Sequence, residues 1–166
     1  HGFQAGGTFF NSIRQTSDGG FVYCGYISGN TGYVFINKVN NAGTPVGADG
    51  WGPQFFGMYS LVAPKCVAPT DNGGCIAVFK DELTLNPMVK KYNSAMAVEW
   101  TKIFDASECG DAYSISKTTD GGYILAGTAS NGCSFSGTRG GSDYWLAKIT
   151  STGTFEWQRS LGSAGN

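Results

Sequence analysis

The chain has 166 residues, 26 of them glycine, and only 14% are charged; this is about twice ordinary glycine usage with well under ordinary charge, which excludes a helical protein. Eleven Lys and Arg against twelve Asp and Glu leave a net charge of −1, with no basic stripe to track phosphates, so nucleic acid is not an expected partner. Hydrophobic residues make up 41%, enough for a core burying about 68–70% of the unfolded surface, which excludes disorder; no apolar run approaches a membrane span.

The chain opens on His1 with neither an initiator Met nor an apolar leader, so a processed, mature chain is expected. A first copy of a repeated unit then reads as strands over 11–16, 21–27, 32–40 and 51–56, the first pair joined through Ser12-Ile13-Arg14-Gln15-Thr16-Ser17-Asp18-Gly19-Gly20-Phe21-Val22. A second copy gives strands over 66–70, 75–80, 86–92 and 98–104, joined through Thr70-Asp71-Asn72-Gly73-Gly74-Cys75-Ile76. A third, over 112–118, 123–128, 143–150 and 155–161, repeats the first position by position through Thr118-Thr119-Asp120-Gly121-Gly122-Tyr123-Ile124. The period is about 50 residues, the signature of a repeat architecture. Thr-x-Asp-Gly-Gly between β-rich runs is a tight hairpin, because Asp bonds nearby amides and glycine supplies positive φ. The one helical candidate, 81–91, contains Pro87 and is not expected to form.

Each copy continues into a strand ending in Lys38, Lys91 or Lys148, and closes on Trp51, Trp100 or Trp157 followed by Gly57, Gly110 or Gly162. Gly43 of Asn-Ala-Gly-Thr recurs as Gly153 of Ser-Thr-Gly-Thr. The second strands are apolar at consecutive positions, which suits sheets covered on both faces, as in stacked blades. The expected fold is all-β: three four-stranded antiparallel propeller-like blades in a single repeat domain over 1–166, with blade 1 over about 7–57, blade 2 over about 58–110 and blade 3 over about 111–166.

These motifs resemble the secreted multi-repeat β-propeller families whose unit runs Thr-x-Asp-Gly-Gly-Phe/Tyr, an apolar strand with Gly, Asp-x-Trp-Leu-x-Lys, a turn Gly, then Trp and a closing Gly. The third copy carries nearly all of it: Thr118, Asp120, Gly121, Gly122, Tyr123, Gly127, Asp143, Trp145, Leu146, Lys148, Gly153, Trp157 and Gly162. The first copy has Gly32 at the Asp143 position, and the second, with Asn72 for Asp, is the most degenerate. The resemblance implies architecture, not activity. Propellers close with about four to eight blades, so three blades are expected to be completed by self-association. The segment from Gly2 to Gly7, with Phe3 and Gln4, shares its phase with Arg159, Leu161 and their neighbours; matched phase at both ends is what head-to-tail pairing into a ring or filament requires.

Five cysteines point to an oxidising, extracellular compartment. Pairing Ile115 with Ala126 in the third hairpin would bring Cys109 and Cys133 together as one disulfide; Cys66 and Cys75, taken to share a strand face, form the second candidate pair. Cys24 aligns with Ala126 as a small core residue. No CxxC or nearby His offers a zinc site, and an N-terminal His1-Gly2, though similar to the start of the copper-dependent polysaccharide monooxygenases, lacks a second imidazole in a chain with one His. Neither metal nor cofactor is expected. No Gly-x-Ser-x-Gly elbow exists, and Asp18, Asp71 and Asp120 sit in turns, while Asp105, Glu108, Asp111 and Asp143 lie near strand ends without the spacing a glycosidase pair demands; no enzymatic activity is expected.

Trp51, Trp100 and Trp157, with Gly19, Gly20, Gly73, Gly74, Gly121 and Gly122, read as structural anchors of the repeat, since residues recurring once per unit pack the blades. The long loop 129–142 makes Ser134, Ser136 and Arg139, with the adjoining Asp143, the candidate ligand-binding residues, because insertions on one face of a repeat protein often carry binding. The reading favoured by the sequence is a non-catalytic, secreted structural or adhesive protein whose partner is itself. The alternatives are a lectin binding glycans through blade-rim loops and a fragment of a larger secreted propeller or hydrolase.

Overall fold

One turn chemistry folds every repeat. Thr16 donates its hydroxyl to Asp18 Oδ1 at 2.6 Å, and the same oxygen accepts from the Gly20 amide at 3.2 Å. Thr70, Asn72 and Gly74 repeat the pattern at 2.6 and 3.3 Å, and Thr118, Asp120 and Gly122 make it a third time. The first glycine of each pair has positive φ, at 82° for Gly19, 76° for Gly73 and 83° for Gly121, where side chains are strained. The second glycine is required for another reason. A Cβ on Gly20, Gly74 or Gly122 would drive into the carbonyl oxygen of Val39, Tyr92 or Ile149, the last residue of the third strand of the same sheet.

The computed structural model describes residues 7–28, 33–46, 54–56, 64–81, 83–84, 86–104, 111–130 and 142–162. Among these residues all regular structure is β, in three antiparallel sheets. The first sheet contains β1 (Thr8–Gln15), β2 (Phe21–Ile27) and β3 (Tyr33–Val39), and its outer position is divided between β4 (Pro45–Val46) and β5 (Gln54–Phe56), both paired with β3. The second runs β6 (Cys66–Pro69), β7 (Cys75–Lys80), β8 (Pro87–Tyr92) and β9 (Val98–Ile103). The third runs β10 (Asp111–Lys117), β11 (Tyr123–Ser130), β12 (Ser142–Ile149) and β13 (Phe155–Leu161). The meander order and three-sheet layout match the sequence-based expectation of propeller-like blades, except that the outer strand expected at 51–56 is split in two.

The second sheet lies between the other two, β6 touching β1 and β2 on one side and β10 on the other. Val22, Cys24 and Ile36 of the first sheet meet Val67, Cys75, Ala77, Phe79 and Tyr92 of the second. Ile76, Val78 and Val89, on the opposite face of the second sheet, meet Ile115, Leu125, Trp145, Ala147 and Ile149 of the third. In β7 every residue from Cys75 to Phe79 is buried, which explains its uninterrupted apolar run.

The observed register differs from the one expected around the cysteines. A bulge sets Phe10 opposite Gly25 but Ser12 opposite Cys24, and its counterpart sets Ala112 opposite Gly127 but Ser114 opposite Ala126. On the turn side of the bulge Ile115 pairs with Leu125, not Ala126, and beyond it Asp111 pairs with Thr128; Cys109 and Cys133 lie outside the described residues. Gly25 and Gly127 sit at these bulges because a Cβ there would collide with the carbonyl oxygens of Phe9 and Asp111. Cys66 and Cys75 do not form the expected pair: both are free thiols. Cys66 is opposite Val78, three residues from Cys75 on the same strand, and an odd offset puts two side chains on opposite faces. Cys66 thus joins the core shared with the third sheet and Cys75 the core shared with the first.

Gly74→Ala is expected to lower the unfolding free energy by about 1–3 kcal/mol through overpacking against the Tyr92 carbonyl, measured by urea denaturation. Burial pushes the thiol of Cys24 up and that of Cys75 to about 12, and the thiolate is the reacting form. Iodoacetamide at neutral pH is accordingly expected to leave Cys24 and Cys75 unlabelled in the folded protein and to label both in denaturant, as read by peptide mass.

Candidate functional site

The recurring lysine of each repeat rises from the third strand beneath the turn just described. Lys38 is buried, pairs with Asp18 and donates to the Gly73 carbonyl of the next blade at 2.5 Å. Lys148 is buried likewise, pairs with Asp120 at 3.0 Å and Glu156 at 2.8 Å, and donates to the Ile149 carbonyl at 3.3 Å. The second copy rewires the node: Asn72 carries no charge, so Lys91 turns to Glu99 at 3.1 Å, and Asn72 Nδ2 donates to the same carboxylate at 3.1 Å. The Lys38 ammonium, then the Thr16 hydroxyl, hold the Asp18 carboxyl down at about 2. Thr118, the Gly122 amide and Lys148 hold Asp120 below the carboxylate range, and Glu156, with Asp120, raises Lys148.

Successive turns are also linked to one another. Ser17 donates to the Asp71 carbonyl at 3.0 Å, and the Asp71 carboxylate pairs with Lys117 of the third sheet. A groove of about 280 Å³ runs between these turns, bordered by Gln15, Ser17, Pro69, Asp71 and Lys117. Its polar groups already bond one another, so it serves as the seam between blade ends.

Of the expected ligand-binding residues, Ser134, Ser136 and Arg139 lie outside the described residues. Asp143 opens β12 as a buried residue, its carboxylate packed against Gly162. Of the expected anchors, Trp51 is outside the described residues, and Trp100 packs on the core between the second and third sheets. Trp145, not placed among the anchors from its spacing, is the most deeply set: it is fully buried, meets Phe104 edge to face at 5.7 Å and donates to Gln158 Oε1 at 2.9 Å. The Asp-x-Trp spacing marks it, but it does not recur, since Phe35 and Met88 hold the corresponding ladder positions. Of the expected assembly residues, Phe3 and Gln4 are outside the described set, while Arg159 and Leu161 are exposed on β13.

The two outermost blade faces differ sharply from their internal equivalents. On the face each blade turns toward its predecessor, Ile13, Val67 and Ile115 hold one repeat position and are 59%, 0% and 3% exposed; Phe21, Cys75 and Tyr123 hold another and are 36%, 0% and 2% exposed. The values for the first blade are high because its predecessor-facing side carries no other sheet among the described residues. Phe10, 68% exposed, belongs to the same face and packs with Tyr23 and Phe35 at ring-centroid distances of 5.6–6.2 Å. On the far side of the third blade, Tyr144, Leu161 and Trp157 are 74%, 55% and 42% exposed; Tyr144 holds the ladder position of Val34 of the first blade, which is buried. Each of these faces gathers three exposed large apolar side chains, Phe10, Ile13 and Phe21 on one and Tyr144, Trp157 and Leu161 on the other, and exposed apolar patches mark interaction sites.

No protein-family description matches the chain, and no curated protein matches it in sequence. Solved structures do resemble it in fold. A hydrazine synthase structure from Kuenenia stuttgartiensis matches 92% of this chain with a TM-score of 0.55 at 10% identity, this chain spanning 53% of that one. A eukaryotic initiation factor structure matches 93% with a TM-score of 0.52 at 11% identity, over 32% of its own length. The chain thus spans about half and a third of these two structures, and the likeness is one of sheet architecture alone.

Carboxylates with folded pKa values below the unfolded value stabilise the fold above the unfolded pKa, and that contribution is lost as pH falls through the folded one. Asp18 and Asp120 are of this kind, so the thermal midpoint is expected to fall between about pH 5 and pH 2. Asp18→Asn is expected to cost about 1–3 kcal/mol at neutral pH, because the buried Lys38 loses its anionic partner. The double variant Asp18→Asn/Asp120→Asn should give a flatter midpoint-against-pH profile by scanning calorimetry.

Proposed function

We propose that the chain is a non-catalytic structural module of a secreted, extracellular protein, and that it assembles head to tail through its two apolar flank faces. The observation that carries this reading is the contrast within single repeat positions: the residue types that a neighbouring blade buries inside the chain stand exposed at both flanks. Three blades fall short of the number at which propellers close, and two copies docked by the same sheet-on-sheet contact would bring six together. A docking rotation that does not close would give a filament.

The carboxylates also support a structural role. Asp18 and Asp120 serve turns and lysines, Asp71 and Asp111 pair with Lys117 and Lys80, Glu99 and Glu156 pair with Lys91 and Lys148, and Asp81 accepts from Thr84. Each described carboxylate named here is engaged in holding strands or turns. Placement outside the cell is supported by the resemblance to secreted repeat proteins and by the low charge of the chain.

Sedimentation analysis at micromolar concentration is expected to show species of at least twice the 17.5 kDa chain mass, and Ile13→Asp or Leu161→Asp is expected to return the protein to a monomer with an unchanged β-sheet circular dichroism spectrum. A wild-type chain that stays monomeric throughout that range would overturn the proposal.

A further inference from the structure

Inside the chain, two side chains cross to the following blade, one at each joint. Trp100 lays its indole over Gly153 in the turn between β12 and β13, where a Cβ would stand 3.0 Å from the ring. Lys38 crosses to the carbonyl of Gly73 in the β6–β7 turn. The equivalents of both partners recur at the flanks. Trp157 stands opposite Lys148 in the ladder as Trp100 stands opposite Lys91, and it is exposed. Gly43 holds the place of Gly153, with φ 80° against 83°, yet a Cβ added to it would meet no atom within 4 Å. Gly19 holds the place of Gly73, with φ 82° against 76°, and its carbonyl accepts a long bond from the exposed Gln15 side chain at 3.4 Å.

Resting on the assembly proposed above, we infer that a second copy of this chain docks with its Gly43 turn under Trp157 of the first copy and its Gly19 carbonyl facing Lys148. The shapes of the two faces set the polarity. At the inner strands, which the internal joints set against one another, the first blade exposes Phe10 and Ile13 and the third exposes Ser114 and Ser116 on the face that carries Lys148. Bulk against small residues packs without voids. Two copies meeting through the same face would set Phe10 and Ile13 of each against the other, or bring the two Lys148 nodes together. The contact is therefore heterologous rather than two-fold symmetric.

The test uses the full chain and two single variants, Gly43→Asn and Trp157→Ala. The space at Gly43 is open within one copy, so a side chain there meets no neighbour, although its φ of 80° strains it; Asn bears that conformation best among side-chain-bearing residues, and Gly43→Met, which copies the residue of the second blade's turn, serves as a second blocking variant. Each variant alone is expected to weaken self-association by about thirtyfold or more, as for a buried Trp anchor, with the thermal midpoint close to wild type for Trp157→Ala and lowered by about 2–4 °C for the Gly43 variants. Mixed in equal amounts, Gly43→Asn and Trp157→Ala restore one intact joint, supplied by Trp157 of the first and Gly43 of the second, so native mass spectrometry is expected to show a heterodimer and nothing larger. Trp157→Phe, which keeps an aromatic face, is expected to retain assembly. If the wild type assembles while the blocked variants assemble equally well, or if the blocked pair fails to combine, the joint is refuted and the assembly reading survives. A monomeric wild type would remove both.

Discussion

A sheet whose strands are apolar at every successive position has two faces to take out of water. β7 shows the constraint in its purest form: Cys75, Ala77 and Phe79 point to one neighbouring sheet, Ile76 and Val78 to the other, and all five are buried. Burial at about 25 cal/mol per Å² makes covering both faces the dominant favourable term. The rest of the architecture follows, because sheets with this pattern are satisfied only in a stack, and a stack of finite length leaves a dry face at each end unless it closes or recruits more sheets. The exposed Ile13 and Phe21 at one flank and Tyr144 and Leu161 at the other are the consequence.

Apolar faces slide; the polar nodes do not. Each joint is indexed by hydrogen-bonded features at the blade ends: the Lys38 ammonium on the Gly73 carbonyl, Ser17 on the Asp71 carbonyl, and Asp71 on Lys117. A buried ammonium is costly unless fully paired, so a slip of one residue in the stacking of the first two blades would strand Lys38. The same groups that make the hairpins also hold blade to blade, which couples the local turn to the tertiary register.

Much of this is legible in the sequence, and the failures have identifiable causes. The hairpin turns, the meander order and most strand bounds follow from Thr-x-Asp/Asn-Gly-Gly and from apolar runs, because glycine at positive φ and a short capping side chain leave few alternatives at Gly19, Gly73 and Gly121. The bulges at Phe10–Ser12 and Ala112–Ser114 are invisible there: an inserted residue shifts register without changing composition, and Gly25 and Gly127 read as ordinary strand glycines. The turn register, which sets Ile115 opposite Leu125 rather than Ala126, is as little visible, and the face expected for Cys66 relative to Cys75 fails by parity. Trp145 escapes a reading based on recurrence because its position is not filled by Trp in the other copies. The exposure of the flanks is legible only as a count of blades; which side chains line them depends on the register.

The second copy is the most degenerate in motif and the most deeply enclosed in structure, and the two facts are connected. Asn72 replaces the turn aspartate, and Met96 occupies, at φ 65°, a position where the other copies place Gly43 and Gly153, a conformation that costs a non-glycine residue on the order of 1 kcal/mol. An isolated hairpin could not hold these departures. The middle blade can, because Met96 is itself buried in the core shared with the first sheet, so its packing offsets the strain in its backbone. Glu99 likewise supplies from β9 the charge that Asn72 no longer offers Lys91. The first and third blades, each packed on one face only among the described residues, depend more on their turns, and both keep the aspartate and both glycines. Sequence regularity in this chain therefore tracks the lack of neighbours: the copies that stay closest to the motif are those at the flanks, where local chemistry must do what packing does in the middle.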